Sequence, residues 1–140
     1  MALLLNRIGE ATGEAAVVKI ARIDLWKRRW RGVAENGEEI AVDLEAPARN
    51  GDVLLGERGC FLIEQGPEEV VAIAMPASPD LAAKVGWYLG NRHIPIEVRK
   101  DEILVENFPT LVDSLARIGI AHTLRQDVLN CRPHSEDHRH

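Results

Sequence analysis

Apolar positions change their spacing part-way along the chain. Up to about residue 75 they fall in short runs or on alternate positions. Ala16 to Trp26 (AVVKIARIDLW) is rich in β-branched residues. Ile40-Ala41-Val42-Asp43-Leu44 puts its larger apolar side chains at every second position, the period of a strand with one buried face. Asp52 to Leu55 and Cys60 to Ile63 predict two more short strands on either side of Gly56-Glu57-Arg58-Gly59. Asn36-Gly37 and Asn50-Gly51 mark turns, because both residue types tolerate positive φ. Short strands at roughly ten-residue intervals predict a small all-β unit without a convincing helix.

From Met75-Pro76-Ala77-Ser78-Pro79 onward the spacing becomes helical. Ser78 suits an N-cap and Pro79 a first helical residue. Leu81, Val85 and Leu89 then share one helical face, and Gly90-Asn91 fits as the stop. Ile94 to Arg99 and Ile103 to Val105 predict a hairpin around Lys100-Asp101-Glu102. A second helix is predicted from near Asn107-Phe108-Pro109. Its apolar face is Phe108, Leu111, Leu115 and Ile118, and Gly119 ends it. Ile120 to Val128 supplies a last strand. With Glu69 to Met75 as the first, the order is β-α-β-β-α-β, the split βαβ or ferredoxin-like arrangement. The expected class is α+β: a small N-terminal all-β domain over 1–76, then a ferredoxin-like domain over 77–130. Residues 131–140 are expected to form a flexible tail, since only Cys131 and Pro133 there are apolar.

Composition narrows the function. The chain has 140 residues, so two domains would each have a thin core, and a partner subunit becomes an expected source of burial. A net charge of −5 argues against a general nucleic-acid binder. No apolar run approaches the roughly 20 residues of a membrane span, and the opening MALLLNRIGEATGE is too short in apolar residues for a secretory signal. Cys60 and Cys131 lie far apart without CxxC spacing, which fits a reduced, cytoplasmic protein. Lys27-Arg28-Arg29-Trp30-Arg31 mixes bases with an aromatic, as single-strand binders do. The favoured expectation is an exposed strand whose charges discourage edge pairing.

The histidines carry the candidate chemistry. Three of the five, His134, His138 and His140, sit in the last seven residues, interspersed with acids. Imidazoles in an extended tail can converge on a borderline cation such as Ni(II), Zn(II) or Cu(II). His93 differs, because LGNRHIPIEV places it where a helix runs into a strand. A histidine near a helix C-terminus interacts favourably with the helix dipole as imidazolium, whereas a metal ligand must be neutral. One histidine is also too few for these metals. A two-fold axis beside His93 would supply a second copy, and two tails could complete the shell.

The segment LGNRHIPIEV, with the helix before it and the histidine-bearing tail after the second helix, resembles the UreE family of urease accessory metallochaperones. The pattern Lys27 to Arg31, Asn36-Gly37-Glu38, Val42-Asp43-Leu44 and Asn50-Gly51-Asp52-Val53-Leu54 is similar to that family's amino-terminal β domain. The resemblance implies a homodimer, not an enzyme, that carries Ni(II) as cargo and passes it through a urease accessory GTPase to the urease pre-activation complex. It implies that His93 binds the metal at the dimer interface and that His134, His138 and His140 add ligands. Zn(II) and Cu(II) are alternative cargoes. Tyr88 stands where some relatives have a further histidine, and the tail is poorer in histidine than the family's longest examples. No nucleic-acid or membrane partner is implied. The alternative is a metal-independent module that binds a peptide or nucleic acid through its β domain.

Overall fold

The computed structural model describes residues 2–134. The chain divides into two compact units, Met1–Gly66 and Pro67–His140.

The first unit is built from β1 (Leu3–Leu5), β2 (Ile8–Gly9), β3 (Ala15–Ile20), the single-turn α1 (Arg22–Leu25), β4 (Arg29–Val33), β5 (Glu39–Asp43), β6 (Val53–Gly56) and β7 (Gly59–Gln65). They form two sheets, β1-β5-β4 and β2-β6-β7-β3. Alternation decides which side chains go inward. On β5, Ile40 and Val42 are buried between the exposed Glu39 and Asp43, and they join Leu5, Val18, Leu54, Phe61 and Ile63 in one core. The β-branched stretch Ala16 to Trp26 is strand only as far as Ile20. Its second part coils into α1, with Leu25 N–H donating to the Ala21 carbonyl at 3.0 Å. On β4, Trp30 is buried while Arg29 and Arg31 are exposed, and Arg29 pairs with Asp43 across the hairpin at 3.2 Å. The basic strand therefore presents charge without its aromatic residue, and it lacks the stacking platform a single-strand binder uses.

The second unit runs β8 (Glu68–Ala74), α2 (Pro79–Asn91), β9 (Ile96–Val98), β10 (Glu102–Glu106), α3 (Leu111–Arg117) and β11 (Thr123–Asp127). Its sheet has the order β11-β8-β10-β9 and every pairing in it is antiparallel, the ferredoxin-like arrangement. Because β8 lies between β10 and β11, the division of the chain falls ahead of that strand rather than after it, at 76.

Val70 to Ile73 on β8 and Ile103 to Val105 on β10 are buried without alternation. Both faces of the sheet are covered. Val71, Ile73, Ile103 and Val105 pack with Val85 and Leu89 of α2 and Leu111 and Leu115 of α3. On the other face, Val70, Ala72 and Leu104 pack with Leu129 and Cys131, from the segment that follows β11. No helix among the described residues is long and apolar enough to cross a membrane.

Candidate metal site

The site is built from the end of α2. Leu81 N–H donates to the Ser78 side chain at 3.1 Å, capping the helix as expected, with Pro79 in the first turn. Val85 and Leu89 are buried, but Leu81 is 51% exposed and leaves the expected apolar face. The helix stops within the expected Gly90-Asn91. It runs through Asn91, and Arg92 is the C-cap.

His93 then takes φ 59°, the left-handed region, and is the one non-glycine residue among those described with positive φ. Ile94 N–H donates to the Leu89 carbonyl at 3.0 Å and His93 N–H to the Gly90 carbonyl at 2.9 Å. That pair of bonds is a Schellman motif with His93 at the left-handed position. Burial of Ile94 in the cluster that holds Leu89 supplies its hydrophobic contact.

The end of α3 shows what this position ordinarily holds. Ile120 N–H donates to Leu115 at 2.9 Å and Gly119 N–H to Ala116 at 3.2 Å, with Gly119 at φ 78°. Two helices related by the βαβ repeat thus close with the same motif, one on glycine and one on histidine. A side chain in the left-handed region costs about 1–2 kcal/mol. Backbone preference would therefore put glycine at this exposed position, and a left-handed non-glycine residue held there is a pointer to function. Arg92 beside it lies over the Tyr88 ring at 4.8 Å.

The expected tail starts on the fold rather than free of it. Arg99 donates to the Val128 carbonyl at 2.9 Å, and Asn130 N–H donates to Glu97 Oε1 at 2.7 Å. Leu129 is fully buried, and Cys131, also buried, packs beside it as an apolar group. His134 N–H donates to Glu106 Oε1 at 3.1 Å, and its ring stacks on Phe108 with centroids 4.2 Å apart and planes 10° apart. His134 and Phe108 line a cleft of about 210 Å³ together with Arg92 and Ile94, the two neighbours of His93 in the chain. Within the expected tail, Cys131 packs on the sheet and His134 on Phe108. His138 and His140 lie outside the described residues.

An ion-pair network ties this segment to the sheet. Arg99 reaches Glu97 at 2.7 Å and Asp127 at 3.1 Å, while Arg125 bridges Asp127 at 2.9 Å and Glu102. Hydrogen bonds from Arg125 and then Arg99 hold the Asp127 carboxyl down at about 2. Arg125 likewise lowers Glu102, and the carboxylates keep both guanidiniums charged. Elsewhere, a His122 ring nitrogen contacts the Ile120 carbonyl at 3.0 Å, a local contact that follows α3.

Among the described residues no three His, Cys, Asp or Glu side chains gather where they could hold one metal ion. His134 lines the cleft with Arg92 and Ile94, the residues on either side of His93 in the chain. Comparison with known proteins decides the family. The C-terminal domain model of the UreE urease accessory protein matches residues 68–140, more than half of the chain. The chain belongs to the UreE family.

Curated UreE relatives agree. The Urease accessory protein UreE of Cupriavidus necator is 35% identical over 96 residues, which is 67% of this chain and 50% of that protein. Its counterpart from Cupriavidus pinatubonensis is 38% identical over 96 residues, 67% of this chain and 43% of the relative. That of Ralstonia nicotianae is 34% identical over 100 residues, 69% and 47% respectively. The matched stretches span about half the length of these UreE relatives. The UreE domain match begins at residue 68, where β8 begins, and it contains α2, His93 and His134. Sequence reasoning singled out both histidines but missed Phe108, Glu106, Glu97 and Arg99 as the contacts that hold the tail segment. The continuous apolar runs at Val70 to Ile73 and Ile103 to Val105 were the available signal, since a strand buried on both faces needs something on each.

Proposed function

We propose that this chain is a nickel metallochaperone of urease assembly: a binding protein, not an enzyme, that holds Ni(II) as cargo between two copies. The observation that carries the proposal is His93 at φ 59°, an imidazole kept where the sister helix has Gly119. The described residues of one copy bring no three such ligands together. Two copies related by a two-fold axis beside His93 bring two His93 and two His134 imidazoles, four nitrogen ligands of a type suited to Ni(II), with Zn(II) and Cu(II) as competitors. His138 and His140 are proposed as further ligands from the same tail. Transfer then runs through the urease accessory GTPase to the urease pre-activation complex, each offering better ligands than the last.

The face of α2 next to His93 supports the dimer. Ala83, Gly86, Trp87 and Gly90 cluster on one side by helical spacing, and Trp87 is 69% exposed. A Cβ at Gly86 or Gly90 would meet nothing within 4 Å, so nothing in the packing around them requires glycine there. A glycine inside a helix costs about 1 kcal/mol against alanine. A second α2 approaching closely would account for both.

Calorimetric Ni(II) titration of His93→Ala, with the mass in solution measured with and without metal, tests the proposal. Loss of the tight site in a protein that still folds is expected, with metal-loaded wild type at twice the chain mass. Tight binding that persists unchanged, or a metal-loaded monomer, refutes it. The metal-independent module remains the competing reading, and a metal-free monomer that binds peptide or oligonucleotide through its β domain would favour it.

A further inference from the structure

We propose that Phe108 is a positioning residue for the His134 imidazole, holding the tail ligand ready at the cleft beside His93. The inference rests on the nickel reading above and adds to it how the tail ligand is presented. Three anchors lead to the ring: Leu129 and Cys131 seated on Val70, Ala72 and Leu104; the His134 N–H on Glu106; and the parallel stack on Phe108 at 4.2 Å. A stack covers one face of the imidazole and leaves its edge, which bears both nitrogens, clear of the benzene ring. A metal binds a histidine nitrogen in the ring plane, so stacking and ligation are compatible. Their coupling is favourable. An imidazole that donates to a dication becomes electron-poor and is drawn more strongly to the π face beneath it, as a cation is. The ligand is also ordered before the metal arrives, so less entropy is lost on binding. Arg92 and Ile94, which line the same cleft as Phe108 and His134, tie that position to the corner bearing His93.

Phe108 lies just ahead of α3 and packs partly buried against the helix-side core. The informative change is therefore Phe108→Leu, which keeps an apolar plug but removes the flat ring. Ni(II) is titrated calorimetrically into the full chain as wild type, F108L, F108W, H134A and the F108L/H134A double variant. F108L should weaken binding about 3- to 10-fold, the range of one aromatic stack, with the loss appearing as a less favourable entropy. F108W should restore it, and F108L should change nothing in the H134A background. An equal loss in both backgrounds would make Phe108 purely structural and overturn the proposal. So would unaltered affinity in F108L, or in H134A. Undiminished binding in His93→Ala would instead refute the nickel site itself, which separates the two failures.

Discussion

Replacing His93 with glycine should improve the fold while destroying the site. The histidine occupies φ 59° at the close of α2, where a β-carbon costs about 1–2 kcal/mol. Glycine removes that cost, but its freer unfolded chain returns about 0.5–1 kcal/mol. The hydrogen bonds of the motif are made by the backbone of residues 93 and 94, so they survive the change. The net expectation is a gain of about 0.5 kcal/mol, or roughly 2–4 °C in Tm for a unit of this size. Gly119→Ala at the matching end of α3, φ 78°, is the control of opposite sign and should lose about 1 kcal/mol. Both are read by urea and thermal unfolding of metal-free protein at one concentration, since an associating protein's stability depends on it. Nickel titration of His93→Gly should show the tight site gone. The reasoning fails if His93→Gly destabilises by more than about 1 kcal/mol, because the side chain would then serve the fold. It fails equally if Gly119→Ala has no cost, because the left-handed position would then carry no strain.

Leu129→Ala, at a fully buried position on the outer face of the sheet, should cost about 2–3 kcal/mol and raise amide exchange across residues 128–134 while β8 and β10 stay protected. Protection of 128–134 left intact would show that the segment is not held by this contact. Asp127 titrates at about 2 instead of the ordinary 3.8, so its contribution is present above 3.8 and is lost as pH falls from there toward 2. Asp127→Asn should lower stability at neutral pH and flatten the acid edge in that window, with Glu102 supplying the remaining slope. An acid edge as steep as wild type would sink this assignment.

Much of the second unit was legible because its signals are local. Ser78 with Pro79, Val85 with Leu89, and Gly119 each specify a cap, a face or a stop through neighbours a few residues away. What was missed depended on distant partners. Leu81 has the right spacing for the core face but meets no core near the start of α2, and stays exposed. Gly90-Asn91 marks the end of α2, but the left-handed residue that follows is His93, against propensity, and only the backbone reveals it. In the first unit, Arg22 to Leu25 continues a β-branched run in sequence, yet coils into a turn of helix where β3 ends. Residues 131–140 read as flexible because only Cys131 and Pro133 there are apolar, and the packing of Cys131 with Leu129 on the sheet depends on partners distant in sequence.

On the proposed reading, His93 needs a second copy to complete the shell of a metal ion. The described residues of one chain hold no three-ligand cluster, and the histidine sits at the end of the helix that carries the open glycine face. A carrier must bind tightly and still let go. On the proposed reading the two demands fall on different parts of the same unit. His93 is fixed by a helix end whose bonds and Leu89–Ile94 contact belong to the core, so that half of the site keeps its shape. His134 is held by one stack and one backbone hydrogen bond, each worth about 1 kcal/mol, so it can leave without unfolding anything beneath it. Release would then begin at the tail, with two His93 ligands left to hand the ion on.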